Sequence, residues 1–205
     1  THIGHSGKVL FMRVFIAVLV LIFSFQSWTK AEDISDFEIE GMSIGDSLLD
    51  FFDKNHIDKK GKTLYPNKDF KAATFISNKF QTYDDVQMHY LSNDNKYIIH
   101  SISANIDYPN KISDCLKAKE EINKDIRSLF NNPKEEDWGK RVLDNVDKSL
   151  QTYAYQNVYY LKGGSIIISC RDYGQIKEDE GHFDYLAIMI DSDYFVDWLN
   201  NKAYD

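Results

Sequence analysis

The sequence predicts an α+β domain in which a mainly antiparallel sheet of six to seven strands is packed by three to four helices. Three observations carry this. Two pairs of strand-like runs are joined by short turns, Asp85–Leu91 to Lys96–Tyr108 through Asn93-Asp94-Asn95 and Ser149–Leu161 to Ser165–Tyr173 through Gly163-Gly164. Hairpin connections of this kind imply antiparallel neighbours. The stretch Lys111–Phe130 instead repeats its apolar residues at helical spacing. The 13 Tyr and 13 Phe of the 205 residues suit a pleated surface that large flat side chains can cover.

The chain opens with a segment that reads as an export signal. Thr1 is not a translation start, so the residues before Met12 read as upstream sequence. Met12-Arg13 is followed by the apolar run Val14–Phe25 and then Gln26-Ser27-Trp28-Thr29-Lys30-Ala31. A basic residue, a short apolar core and small residues at the end make a secretory signal peptide, with cleavage expected after Ala31. A retained anchor is the rival reading, but the run falls short of the roughly 20 residues that a bilayer span needs. The division is therefore residues 1–31, upstream residues plus signal peptide, and residues 32–205, a single α+β domain placed in the periplasm or secreted. No stable membrane anchor remains after cleavage.

Phe37–Gly41 alternates like a short strand, and Ser43 with Asp46 resembles a capping box for a helix reaching Phe52. Lys54–Lys68 is polar, holds Gly61 and Pro66, and reads as a loop; Asp69–Ser77 reads as a strand. In the first hairpin a three-residue loop pairs Val86 with Ile102, Met88 with His100 and Tyr90 with Ile98. That puts His100 toward the core and His89 on the other face, which argues against a two-histidine metal site.

Asn110 caps the long helix, whose stripe holds Ile112, Cys115, Ile122, Ile126 and Leu129. Trp138, Val142 and Val146 at four-residue spacing predict a further helix over Glu135–Lys148. A two-residue turn at Gly163-Gly164 sets Leu161 beside Ile166, Tyr159 beside Ile168 and Asn157 beside Cys170. The opposite face, with Tyr160, Ile167, Val158, Ser169, Gln156 and Arg171, is half apolar and open to a covering helix or a partner. Gly174–Gly181 reads as a solvated loop, and Phe183–Ile190 as the last strand. Ser192 caps a terminal helix docked by Phe195, Val196 and Leu199, with Trp198 at its edge.

Composition excludes more than it assigns. A formal charge of -8, made more negative once Lys8, Arg13 and Lys30 leave with the signal, argues against nucleic-acid binding. Cys115 and Cys170 are the strongest chemical statement. Two cysteines in an exported chain, one on a buried helix stripe and one on the inner face of a strand, make a disulfide that pins helix to sheet. No catalytic residue, cofactor site or metal site can be named. Glycine fingerprints, the nucleophile elbow and the zinc helix motif are all missing.

Three phrases carry a resemblance: Ile34-Ser35-Asp36-Phe37-Glu38-Ile39-Glu40-Gly41-Met42-Ser43-Ile44-Gly45-Asp46-Ser47-Leu48-Leu49, Gly164-Ser165-Ile166-Ile167-Ile168-Ser169-Cys170-Arg171-Asp172-Tyr173, and Phe195-Val196-Asp197-Trp198-Leu199. The chain resembles a family of small, uncharacterised exported bacterial proteins, in which a helix cysteine like Cys115 accompanies the strand cysteine. The resemblance implies export and fold and carries no activity. The expected function is a non-catalytic periplasmic binding or accessory protein whose partner is an envelope protein or a small ligand. The alternative is a secreted hydrolase with a dispersed Asp/Glu/Tyr site.

Overall fold

The computed structural model describes residues 33–78, 80–129, 133–144 and 146–205. The expected signal peptide, within residues 1–31, lies outside them. Seven strands form one antiparallel sheet: β1 (Phe70–Phe75), β2 (Asp85–Leu91), β3 (Ser101–Asp107), β4 (Lys134–Val142), β5 (Tyr153–Leu161), β6 (Gly164–Asp172) and β7 (Tyr185–Ser192). Among the described residues four α-helices accompany it: α1 (Lys54–Lys60), α2 (Ile112–Leu129), α3 (Gln175–Asp179) and α4 (Asp193–Asn201). The order across the sheet is β1-β2-β3-β7-β6-β5-β4. The α+β prediction holds in strand number, helix number and strand direction.

α2 makes this order possible. At about 1.5 Å per residue it is long enough to carry the chain from β3 across to the far edge, where β4 starts. Three hairpin-type returns then bring β7 back beside β3. α2 packs on β6 and β7, burying Cys115, Ala118, Ile122 and Ile126 against a cluster that includes Ile166, Ile168, Leu186 and Ile188. A second, smaller cluster lies on the other face, where α4 lowers Phe195 and Trp198 onto Phe70. The Ser192 hydroxyl accepts from the Phe195 N–H at 3.2 Å and starts that helix, as expected. Trp198 is not at the edge: it is buried, with its ring 4.7 Å from Phe70.

The expected strand at Phe37–Gly41 and helix at Ser43–Phe52 do not form. The capping contact exists, Asp46 Oδ2 accepting from the Ser43 N–H at 2.8 Å. The backbone that a helix would use is taken elsewhere: Gly45 N–H bonds to Ile99 O at 2.9 Å and Leu48 N–H to Tyr97 O at 3.1 Å. The segment becomes turns, with Glu40 and Gly41 at φ 52° and 80°, that press Ile39, Met42 and Leu48 onto the core.

Within the expected loop after it stands α1. It has a single buried residue, Ile57, so it shows no apolar periodicity. Gly61 ends it where an added Cβ would meet the Tyr90 hydroxyl at 2.3 Å.

The expected helix over Glu135–Lys148 is instead β4. Gly139 sits at φ 59°, a register shift falls between Asp137 and Gly139, and Glu135 is drawn to the sheet by its neighbours. Arg127 grips Glu135 at 2.8 and 2.7 Å, and Asn157 Nδ2 donates to it at 2.9 Å. Behind this pair Lys119 donates to Asn157, and the Tyr159 hydroxyl donates to Asn123 at 2.9 Å.

Both hairpins shift by two residues; the second keeps the predicted faces of its strands, and the first keeps them only from Ser101 onward. In the second, Leu161 pairs with Gly164, so Tyr159 meets Ile166 and Tyr155 meets Cys170. The turn is Lys162-Gly163, with Gly163 at φ 84°. In the first, Met88 pairs with Ile102 and His89 with Ser101. Ile99 and Ile102 both join the main core, three residues apart, so the alternation slips between them. His100 therefore turns away from the core toward α4, its ring 5.4 Å from both Phe70 and Tyr194.

Candidate functional site

On the face opposite α2, the strand ends remote from α4 build a cleft. Register assembles it: Asp85 lies opposite Asn105, Asp107 opposite Tyr185, and Tyr185 opposite Arg171. Asp84 precedes β2, Tyr173 follows β6, and the Gly181-His182-Phe183 turn after α3 closes one side, with Ile76 on the other. The resulting cavity is about 560 Å³, the size that small-molecule sites occupy.

Its chemistry is acidic with aromatic walls. Asp84 Oδ2 accepts from the Asp107 N–H at 2.9 Å, and Asn105 Nδ2 donates to Asp85 Oδ1 at 2.8 Å. Burial, reinforced by Asp84 and Asp85, pushes the Asp107 carboxyl up to about 6. Burial also raises Asp85, against the Asn105 hydrogen bond that favours its ionised form. Behind the cleft, the Arg171 guanidinium lies 5.4 Å from the Tyr185 ring centroid and 5.9 Å from that of Tyr173. Its Nε is buried without a hydrogen-bond partner among the described residues. Burial lifts the Tyr185 phenol to about 12, with Arg171 opposing. His182 stacks on Tyr173 at 5.0 Å.

Such a cleft can hold a cation against carboxylates and ring faces, or hydroxyl groups against Asp85 and Asn105. It can also offer Asp107 as a proton carrier near neutrality. Among the described residues no group of three or more His, Cys, Asp or Glu is placed to hold a metal ion.

Cys115 and Cys170 are brought together as the sequence suggested, at disulfide distance with sulfurs 2.00 Å and Cα atoms 6.0 Å apart. They lie on the α2 side of the sheet, away from the cleft. His56 is exposed near β1, and of the described histidines, His56, His89, His100 and His182, only His182 lines the cleft. Sequence reasoning missed Asp84, Asp85, Asn105 and Asp107. The two-residue register shift hid them, since the expected pairing sets Asp85 opposite Ser103. Arg171, named for its outward face, lies behind the site against two rings that line it, Tyr173 and Tyr185.

Comparison with family models, with curated proteins and with solved structures finds no match.

Proposed function

We propose that this is an exported, non-catalytic binding protein, periplasmic or secreted, that takes a small ligand bearing a protonated amine in the acidic cleft. The convergence of Asp84, Asp85 and Asp107 opposite the rings of Tyr173, Phe183 and Tyr185 carries this reading. Export is supported by the signal-like run Val14–Phe25 and by the resemblance to small exported bacterial proteins. The cysteine pair at disulfide distance agrees with an oxidising compartment. Among the described residues no helix is long and apolar enough to cross a membrane.

Calorimetric titration with putrescine, with butanediol as the uncharged control, tests it. Saturable binding of the diamine alone is expected, weakening as pH falls through about 6 because Asp107 then takes up a proton. The Asp85→Asn/Asp107→Asn variant should bind neither. Equal behaviour of the two probes overturns the reading.

A hydrolase is the second reading, favoured by the raised Asp107 carboxyl, which suits a general acid. Turnover of chromogenic glycosides or esters that disappears in Asp107→Asn would establish it. No turnover by the wild-type protein removes it.

A further inference from the structure

A second concavity, of about 610 Å³, lies at the end of β1 on the other side of Ile76 from the acidic cleft. Its floor is rigid. Phe52 stacks on Phe75 with centroids 3.8 Å apart, and His56 stands edge-on to both rings. Its rim is apolar in a way that a free surface rarely is: Leu49 is 42% exposed, Phe51 38% and Ile76 80%.

The rim is also acidic. Asp50 and Asp53 line it, and neither carboxylate has a hydrogen-bond or ion-pair partner among the described residues; Asp53 heads α1 without a side-chain cap bond. Lys54, the one Lys or Arg lining the groove among the described residues, is committed to Asp58 at 2.8 Å and to the Tyr97 hydroxyl. Carboxylates that no cation among the described residues neutralises, set around exposed apolar side chains, select a partner that is basic and carries an apolar anchor.

The edge of the sheet adds a shape requirement. Ala72 exchanges both backbone hydrogen bonds with Lys62 at 2.8 Å, so it faces outward from β1. Alternate residues share that direction, which puts Thr74 on the same edge, beyond the reach of the Lys62 bridge. No backbone bond from outside the sheet meets Thr74 among the described residues. A strand end of this kind accepts an added extended chain.

We propose that this groove docks an extended segment of a partner protein, pairing along the end of β1, with a large apolar side chain seated over Phe52 and Phe75 and Lys or Arg beside Asp50 and Asp53. It is independent of the acidic cleft and of any ligand bound there.

Fluorescence anisotropy with a labelled pentapeptide tests it, using a central leucine flanked by valines and ended by lysines, with a glutamate-ended copy as control. The lysine-ended peptide should bind roughly tenfold tighter or better. Phe51→Ser and Asp53→Asn should each weaken it by a factor on the order of ten while leaving the melting temperature in place. Ile76 is left alone because it lines both cavities. Asp85→Asn/Asp107→Asn should leave peptide affinity unchanged, so failure here and failure of the amine site are read separately. Equal affinity for the two peptides, loss of binding only in the cleft variant, or no saturable binding would each overturn the proposal. So would a concentration-dependent dimer that Phe51→Ser abolishes, which would make the occupant a second copy of this chain.

Discussion

The rings of His89 and Phe195 face each other with centroids 4.7 Å apart, and neither imidazole nitrogen has a hydrogen-bond partner among the described residues. Tyr65 closes the same space, 6.3 Å from His89. Two strands away on the same row, Asp191 is buried beside Ser101, which stands between them. The floor under α4 thus holds two titratable groups that folding has stripped of water.

Their protonation gives opposite pH dependences. Burial lowers His89 from 6.5 to about 4. The stability of holding it neutral is complete above about 6.5 and is lost as pH falls toward about 4. His89→Leu should therefore stabilise the protein near pH 4, on the order of 2–3 kcal/mol, and have little effect near pH 8. Urea unfolding followed by tryptophan fluorescence at both values checks this.

Burial raises Asp191 from 3.8 to about 6, against its Ser101 hydrogen bond. Its contribution is complete below about 3.8 and is lost as pH rises through about 6. Asp191→Asn should stabilise the protein above about pH 7, again on the order of 2–3 kcal/mol. The same unfolding series should show no gain near pH 4.

The Cys115–Cys170 link closes a separation of 55 residues. By chain entropy it is worth about 4 kcal/mol. Reduction, or Cys115→Ala/Cys170→Ala, should lower the denaturant midpoint accordingly. Mass mapping without reductant should find the two cysteine peptides joined, and two alkylatable thiols would refute the bond.

Asn157 is the hub between Lys119, Asn123 and Glu135. Asn157→Leu should cost about 3 kcal/mol because it leaves the buried Lys119 ammonium unpaired. Lys119→Met should cost less, and the double variant less than the sum, which a double-mutant cycle on urea midpoints would measure.

Gly164 has no room for a side chain: an added Cβ would lie 2.1 Å from the Asp191 carbonyl oxygen. Gly164→Ala should destabilise by about 3 kcal/mol or more, seen as a lowered melting temperature, whereas alanine at Gly181, which meets nothing within 4 Å but has φ 93°, should cost only the backbone strain.

How much of this was legible depended on whether the signal was local. α2 was readable because its stripe from Ile112 to Leu129 repeats within the segment itself, and β6 because Ile166-Ile167-Ile168 is bounded by glycine and charge. The cysteine pairing followed from those two placements. β4 was misread because Trp138 and Val142 fit helical spacing, while the groups that make it a strand, Arg127, Asn157 and Tyr159, lie elsewhere in the chain. α1 carried a usable signal, Asp53 before it and Gly61 after it, but Ile57 alone shows no period. The cleft was invisible for a sharper reason. Hydrophobic matching left pairings two residues apart nearly equivalent, and only the observed one sets Asp85 opposite Asn105.

The route of the chain through the sheet has a kinetic consequence. β3 gains its second neighbour only from β7, where Ser101 meets Asp191, residues separated by most of the later sequence. Both cysteines precede β7 in the chain. As the protein emerges from its N-terminal end, α2 and the β5–β6 hairpin can be complete, and Cys115 oxidised to Cys170, while β3 still presents a bare edge. The last strand to be made is the keystone of the sheet. A chain truncated before Tyr185 should therefore be already oxidised yet prone to self-association through that edge.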